Sequence, residues 1–248
     1  MMARVLALLA LAALVAGCST SRPQPRARYA ALPPPVPTAP PVAEWEPAPY
    51  VPWGEHTVAT RLRQFGAAAR SRWQPWFEDA GVAWPPRAVV LVGLKREQRL
   101  QVYAGPHWGG LRYVRDFAWT ATSGGPGPKL REGDRQIPEG IYPIVDLNPN
   151  SRFHVSLRVG YPNALDRAVA AREGRSRLGG DIMIHGGAKS VGCVAVGDEA
   201  AEDLFTLAAD AGIESIDLVL VPHDFRSRAG SPPGRRPEWV AQLYERLD

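Results

Sequence analysis

In the middle of the chain Val89–Val92 is a short apolar run, while apolar and polar positions alternate along Leu100–Tyr103 and Arg112–Thr122. Both patterns predict strands, the first two joined by a turn around Arg96 and Glu97. Further strands are expected at Ile141–Val145, Phe153–Val159, Asp181–His185 and Ile216–Val221. From Thr57 to about Ala80 the spacing becomes helical (Val58, Leu62, Phe65, Ala69, Trp73, Trp76, Phe77), which predicts one helix or two, broken near Pro75. Helices are also expected at Ala164–Glu173 and Glu199–Ala211; in the second, Leu204, Leu207 and Ala208 form an apolar stripe suited to core packing. Gly124–Pro128 and Gly133–Gly140 read as loops. Many short strands with few helices predict a mainly β domain with accessory helices.

The two ends depart from this pattern. Residues 1–17 combine Arg4 with an uncharged run from Val5 to Val15, too short to span a bilayer, and read as a signal peptide. Val15-Ala16-Gly17-Cys18 resembles a bacterial lipobox, in which Cys18 would be lipidated and anchor the chain to a membrane; Ser19 after it resembles the pattern sorted to the outer membrane, on its periplasmic face. Residues 18–56 read as a Pro-rich tether, with eleven of the chain's 25 prolines between Ser21 and Trp53. Residues 57–86 form the helical preface, 87–223 the main domain and 224–248 a basic, solvated tail carrying Arg226, Arg228, Arg235 and Arg236. The formal charge of +4 suits an anionic envelope polymer or lipid surface. No aromatic-interleaved basic stripe or binding motif accompanies it, which argues against nucleic acid as a partner.

The chemistry concentrates in Ile182–Ala195, which holds His185, Ser190 and Cys193. With Cys18 closing the export signal, Cys193 would enter an oxidising compartment without an intramolecular disulfide partner. Such a thiol could be a small buried apolar residue, but its neighbours favour use as a nucleophile. His185 ends an apolar strand and can serve as general base and acid; the Gly-rich loop after it can return the chain to Cys193. Gly192 permits close backbone approach, and the amides of Gly192 and Cys193 could stabilise an oxyanion. Ser190 could orient the imidazole, line a groove with Gly186, or bond its own turn.

His185-Gly186 followed by Ser190-Val191-Gly192-Cys193 resembles the L,D-transpeptidases with a YkuD-type catalytic domain. Gly133-Asp134 with Pro138-Glu139-Gly140-Ile141-Tyr142, and Tyr161-Pro162-Asn163 with Asp166, resemble two further elements of that family in the same order. The resemblance implies a β-sandwich-like catalytic domain over residues 87–223, working without metal or other cofactor on the diaminopimelate-containing stem peptides of peptidoglycan. It also implies a Cys193 thioester with His185 as proton carrier. Asp166 and Arg135 are then candidates for contacts to the zwitterionic diaminopimelate end, or else structural residues. The loop between His185 and Cys193 is short, Val191 stands where many members have His, Ala195 where they have Arg or Asn, and Ile137 where they have Thr. This form resembles the YafK-like branch, in which some members hydrolyse rather than crosslink. An amine acceptor from a stem peptide or an envelope lipoprotein would give transpeptidation, and water would give hydrolysis.

Three other readings compete. A papain-like peptidase would pair Cys193 with His223, which follows it in sequence. A zinc hydrolase would use Asp181, His185 and Cys193, although the chain lacks a HExxH pair and His56, His107 and His154 are scattered. A lipoprotein that only binds peptidoglycan would keep the fold without the chemistry.

Overall fold

The structure is a computed structural model that describes residues 54–227 and 239–247. The signal peptide, Cys18 and the tether up to residue 53 lie outside the described residues, as do residues 228–238 of the basic segment.

The preface begins with α1 (Val58–Arg61), whose Thr57 and Thr60 form a reciprocal cap, passes through a π-helical turn at Leu62–Gly66 and continues as α2 (Ala67–Ala80). The expected break at Pro75 does not occur: Pro75 lies inside α2, and the irregularity falls at the π turn instead. Burial explains the difference. Trp73 and Phe77 on either side of the proline are almost wholly enclosed and stack edge-on at 5.5 Å, so packing offsets the lost N–H. Gly81 ends the helix in the left-handed conformation, φ 62°.

The strands are β1 (Ala88–Leu94), β2 (Arg99–Gly105), β3 (Arg112–Ala118), β4 (Gly140–Asn148), β5 (Ser156–Val159), β6 (Met183–His185), β7 (Val194–Ala195) and β8 (Ile216–Val221). They form one sheet in the order β3-β2-β1-β8-β4-β5-β6-β7. The two predicted ends at Thr122 and Phe153 are trimmed, so β3 stops at Ala118 and β5 starts at Ser156. Most pairs are antiparallel, while β1 with β8 and β6 with β7 are parallel. In β4, Gly140–Pro143 pair with β8 and the residues from Ile144 onward pair with β5, with a register shift between Ile144 and Asp146. That irregularity bends the strand and lets it serve both halves of the sheet.

The sheet curls until its two edges approach. The Thr120 N–H, just past β3, donates to Ala195 O of β7 at 2.8 Å, and Ala121 forms a bridge with Ala195. The result is a mainly β domain with accessory helices, as the patterning predicted, and its strands form one sheet curled into a half-barrel.

Three helices complete the domain: α3 (Ala164–Arg172), α4 (Asp198–Ala211) and α5 (Trp239–Leu247). Leu204, Phe205 and Leu207 of α4 join Leu91, Leu100, Leu157, Ile184 and Trp73 in the principal core. Helix α2 lies against α4, with Trp73 Nε1 donating to Asp203 O at 2.8 Å and Arg72 paired with the Asp203 carboxylate at 2.7 Å. The opposite face of β1 and β8 carries a second cluster, Val90, Leu94, Val219 and Val221, partly covered by Phe225 and Leu247.

Over the described residues 224–227 and 239–247, the reading as a solvated tail needs correction. Arg226 is paired with Asp224 at 2.8 Å and donates to the Tyr103 hydroxyl, and α5 buries Val240, Leu243 and Tyr244. The Tyr244 hydroxyl donates to the Glu139 carboxylate at 2.6 Å; Glu139 is itself fully buried against Lys95 at 3.0 Å. An amphipathic helix behind a Pro/Gly/Arg-rich segment is easily overlooked, because its docking partners, Glu139 and Leu165 among them, lie far away in the sequence. Among the described residues no helix is long and apolar enough to cross a membrane.

Candidate active site

The short parallel pair β6–β7 positions the chemistry. Its register sets Ile184 beside Val194 and His185 beside Ala195, and continuing it back one step sets Cys193 beside Met183. Cys193 is a bend residue immediately before β7, so this register brings its backbone alongside the strand that carries His185. Gly192, at φ 98°, turns the chain into that register; a Cβ there would lie 3.2 Å from Gln136 O. Both demands favour glycine.

His185 is 2% exposed, and its ring stacks on Phe153 at 4.6 Å and 22°. Its Nδ1 lies 2.6 Å from Gly186 O. A carbonyl can only accept, so Nδ1 carries the proton and the Nε2 lone pair is left as the basic site. Burial depresses the imidazole pKa below its ordinary value, and the bond to Gly186 O opposes this to a smaller extent. The same peptide is closely enclosed: a side chain on Gly186 would meet Phe153 O at 2.8 Å and the Asp198 carboxylate. Gly186 therefore acts through its carbonyl, orienting the ring.

Cys193 is partly exposed, and its sulfur lies 3.6 Å from Asp181 O. Burial pushes its pKa up, a hydrogen bond from the Met183 backbone pulls it down, and the Asp181 charge adds a smaller upward push. Among the described residues no hydrogen bond joins the sulfur to the imidazole. A raised thiol beside a lowered imidazole makes the resting pair neutral: an S–H and an imidazole with a free Nε2. Such a pair can act by moving the proton during attack, without starting from a thiolate.

Ser190 does not touch the ring. Its hydroxyl donates to Cys193 O at 2.7 Å and meets Ser123 Oγ at 3.1 Å, while Ser123 Oγ accepts from the Gly192 N–H at 2.6 Å. Each hydroxyl has one proton, so the sense is fixed: Gly192 N–H to Ser123, Ser123 to Ser190, Ser190 to Cys193 O. The Gly192 amide, a candidate oxyanion donor from sequence, is thus committed to Ser123 in this state.

The remaining candidates lie elsewhere. Asp166 forms the reciprocal cap of α3 with Asn163 and accepts from the Tyr142 hydroxyl at 3.4 Å; burial raises its pKa to about 6. Arg135 is exposed at φ 59° in the loop whose next residue, Gln136, abuts Gly192. His223 follows β8, which β4, β5 and β6 separate from β7 in the sheet, and it contacts Phe225 rather than Cys193. The papain-like pairing therefore fails on topology. Asp181 pairs with Arg158 at 2.6 Å, His154 with Glu202 at 2.9 Å, and the described residues hold no group of three His, Cys, Asp or Glu placed for a metal. Ser123, Phe153 and Thr120, whose hydroxyl donates to Gly187 O at 2.6 Å, were not singled out from sequence. Ser123 precedes a Gly-Gly-Pro loop, which marks it only as a turn residue.

YafK of Escherichia coli K12 is 37% identical over 105 residues, 40% of each chain, so the match spans about two fifths of the length of the curated relatives. Among solved structures, the helical cell shape determining protein Pgp2 of Campylobacter jejuni covers 61% of this chain and 55% of its own, with 21% identity and a TM-score of 0.44. L,D-transpeptidase 1 of Mycobacterium tuberculosis covers 54% and 62%, with 15% identity and a TM-score of 0.32. The family model for the YkuD L,D-transpeptidase catalytic domain matches residues 87–219, more than half of the chain and the whole of the sheet up to β8, and the chain accordingly belongs to the L,D-transpeptidase family.

Proposed function

We propose that this protein is a cell-envelope cysteine acyltransferase acting on diaminopimelate-containing stem peptides of peptidoglycan. The reading is carried by the His185 ring, locked by Gly186 O with Nε2 free, on β6, the strand that the β6–β7 register sets beside the partly exposed Cys193. Sγ attacks a stem-peptide carbonyl as its proton passes to Nε2, and the tetrahedral intermediate expels the amine, which takes that proton. The resulting thioester is resolved by an amine, whose proton returns through His185 to the Cys193 sulfur. The N–H groups of Cys193 and Gly192 are the proposed oxyanion donors, the second once Ser123 releases it. No metal or nucleotide has a part in these steps. Arg135, on the exposed loop beside Gly192, is a proposed contact for a substrate carboxylate, whereas Asp166 serves α3. Lipidation at Cys18 and the tether to residue 56 would hold the domain at the periplasmic face of the outer membrane, within reach of the wall and of a peptidoglycan-linked lipoprotein.

The test is muropeptide and intact-mass analysis after the protein is incubated with sacculi and with defined tetrapeptide muropeptides, beside Cys193→Ala and His185→Gln. Cys193-dependent diaminopimelate-linked dimers or exchanged terminal residues are expected. Release of shorter peptides or attached protein with water as acceptor would replace transfer by hydrolysis. No Cys193-dependent change on either substrate would overturn the reading.

A further inference from the structure

The peptide unit joining Gly186 to Gly187 is held at both edges. Its carbonyl accepts the Nδ1–H of His185 at 2.6 Å, and its N–H donates to Asp198 Oδ1 at 2.7 Å. These two groups belong to one planar trans amide and point in opposite directions, so the carboxylate, the amide and the imidazole form a continuous chain. The next carbonyl, Gly187 O, is fixed by the Thr120 hydroxyl at 2.6 Å, and Gly187 sits at φ 69°. Two consecutive glycines leave this segment with few intrinsic barriers to peptide rotation, so its orientation depends on what grips it.

We propose that Asp198 is a positioning residue of the Cys193–His185 pair, acting on the imidazole through the single peptide bond between Gly186 and Gly187. The inference deepens the acyltransfer reading and rests on it. In Ser-His-Asp sites a carboxylate bonds the histidine directly, holding its tautomer and stabilising the imidazolium that forms. Here a carboxylate on the amide N–H polarises the carbonyl and makes it a better acceptor for Nδ1–H, since hydrogen bonds in series strengthen one another. The missing side chain of Gly186 is part of the device, because a Cβ at that position would occupy the space of Asp198 Oδ1. Asp198 is the first residue of α4, a helix whose Leu204, Phe205 and Leu207 are core residues, so the carboxylate is carried on a rigid element. It is also exposed, so water screens its charge and its larger effect is orientation.

The neighbouring charged groups are accounted for separately. His154, beside Gly186, pairs with Glu202; Asp181 and Lys129 act on the Cys193 thiol; Glu199 shares the first turn of α4 without bonding the Gly187 amide.

The test compares Asp198→Ala, Asp198→Asn and Glu199→Gln in the full chain, by 15N NMR of histidine-labelled protein without substrate and by kcat and KM on tetrapeptide muropeptide. The parent protein should show His185 as the Nδ1–H tautomer. Asp198→Ala should shift it to a tautomer mixture and lower kcat about tenfold with KM changed by no more than about twofold. Asp198→Asn keeps an acceptor for the Gly187 N–H and should fall between, and Glu199→Gln should match the parent. A folded Asp198→Ala with parental His185 signals would overturn the proposal; if that variant does not fold, parental signals and kcat in Asp198→Asn would do so. Because the NMR readout needs no turnover, a parent inactive on muropeptide would count against the acyltransfer reading and leave the relay to be judged on the tautomer.

Discussion

Ser123 Oγ accepts the Gly192 N–H at 2.6 Å across 69 residues of chain, and this bond ties the turn before Cys193 to the loop after β3. Ser123→Ala removes the acceptor and the partner of Ser190 together. Loss of about 1 kcal/mol of stability and about a tenfold drop in kcat with KM unchanged are expected. Steady-state kinetics with a denaturant titration checks this. A rise in kcat would mean that releasing the Gly192 amide to the oxyanion outweighs the loss of the anchor that Ser123 gives the turn.

The neutral resting pair predicts a particular pH dependence. Attack needs an unprotonated Nε2, and burial places the imidazole pKa below its ordinary 6.5, so kcat/KM should rise through a pKa lower than that and stay high toward alkaline pH. The thiol is raised above its ordinary 9.0, so iodoacetamide alkylation of Cys193 should keep accelerating past that pH without an early plateau. An alkylation plateau already complete at pH 6 would reveal a thiolate–imidazolium pair.

Asp166 offers a test confined to stability. Its carboxyl is raised to about 6 by burial, so the folded state favours the protonated form. The associated stabilisation is complete below the ordinary value of 3.8 and is lost as pH rises through about 6. Asp166→Asn keeps an acceptor for the Asn163 N–H, and Tyr142 can turn its own proton to Glu139 O, which lies 3.1 Å away. The variant should be more stable than the parent by about 1–2 kcal/mol at pH 7.5 and indistinguishable at pH 4. Thermal melts at both values decide it; equal melts at pH 7.5 would sink it.

Tyr244→Phe deletes a hydroxyl that donates to the enclosed Glu139 carboxylate at 2.6 Å. Glu139 keeps Lys95 and the Gly127 N–H, so the expected cost is about 1–3 kcal/mol. Hydrogen exchange should accelerate in α5 and at Gly127 before it does in β1 or β8. Uniform acceleration throughout the sheet would show that α5 is not a separable unit.

Gly186→Ala would bring a methyl group against Phe153 O at 2.8 Å and against Asp198. The expectation is loss of about 1–3 kcal/mol and a fall in kcat of about a hundredfold as the His185 ring loses its carbonyl. Parental kcat in this variant would show that Gly186 O does not orient the base.

What the sequence determined by itself is what local pattern and near neighbours can specify. The Val/Leu runs of β1 and β8 and the alternation of β2 announce strands because burial on a pleated surface demands them. His185, Gly192 and Cys193 are legible as a unit because a short strand, a glycine turn and a second short strand need only nearby residues. Tertiary structure decided the rest. Pro75 stays helical because Trp73 and Phe77 are enclosed by the core, and α5 is a helix with a docking site because Glu139 is buried where Tyr244 can reach it. Ser190 serves the turn rather than the ring because Ser123 arrives from 67 residues away. The grip of Asp198 on the Gly187 amide exists because α4 begins where the curled sheet brings its two edges together. Hydrophobic period encodes which face is buried; it carries no information about which distant donor meets which acceptor, and those long-range bonds set the geometry of this site.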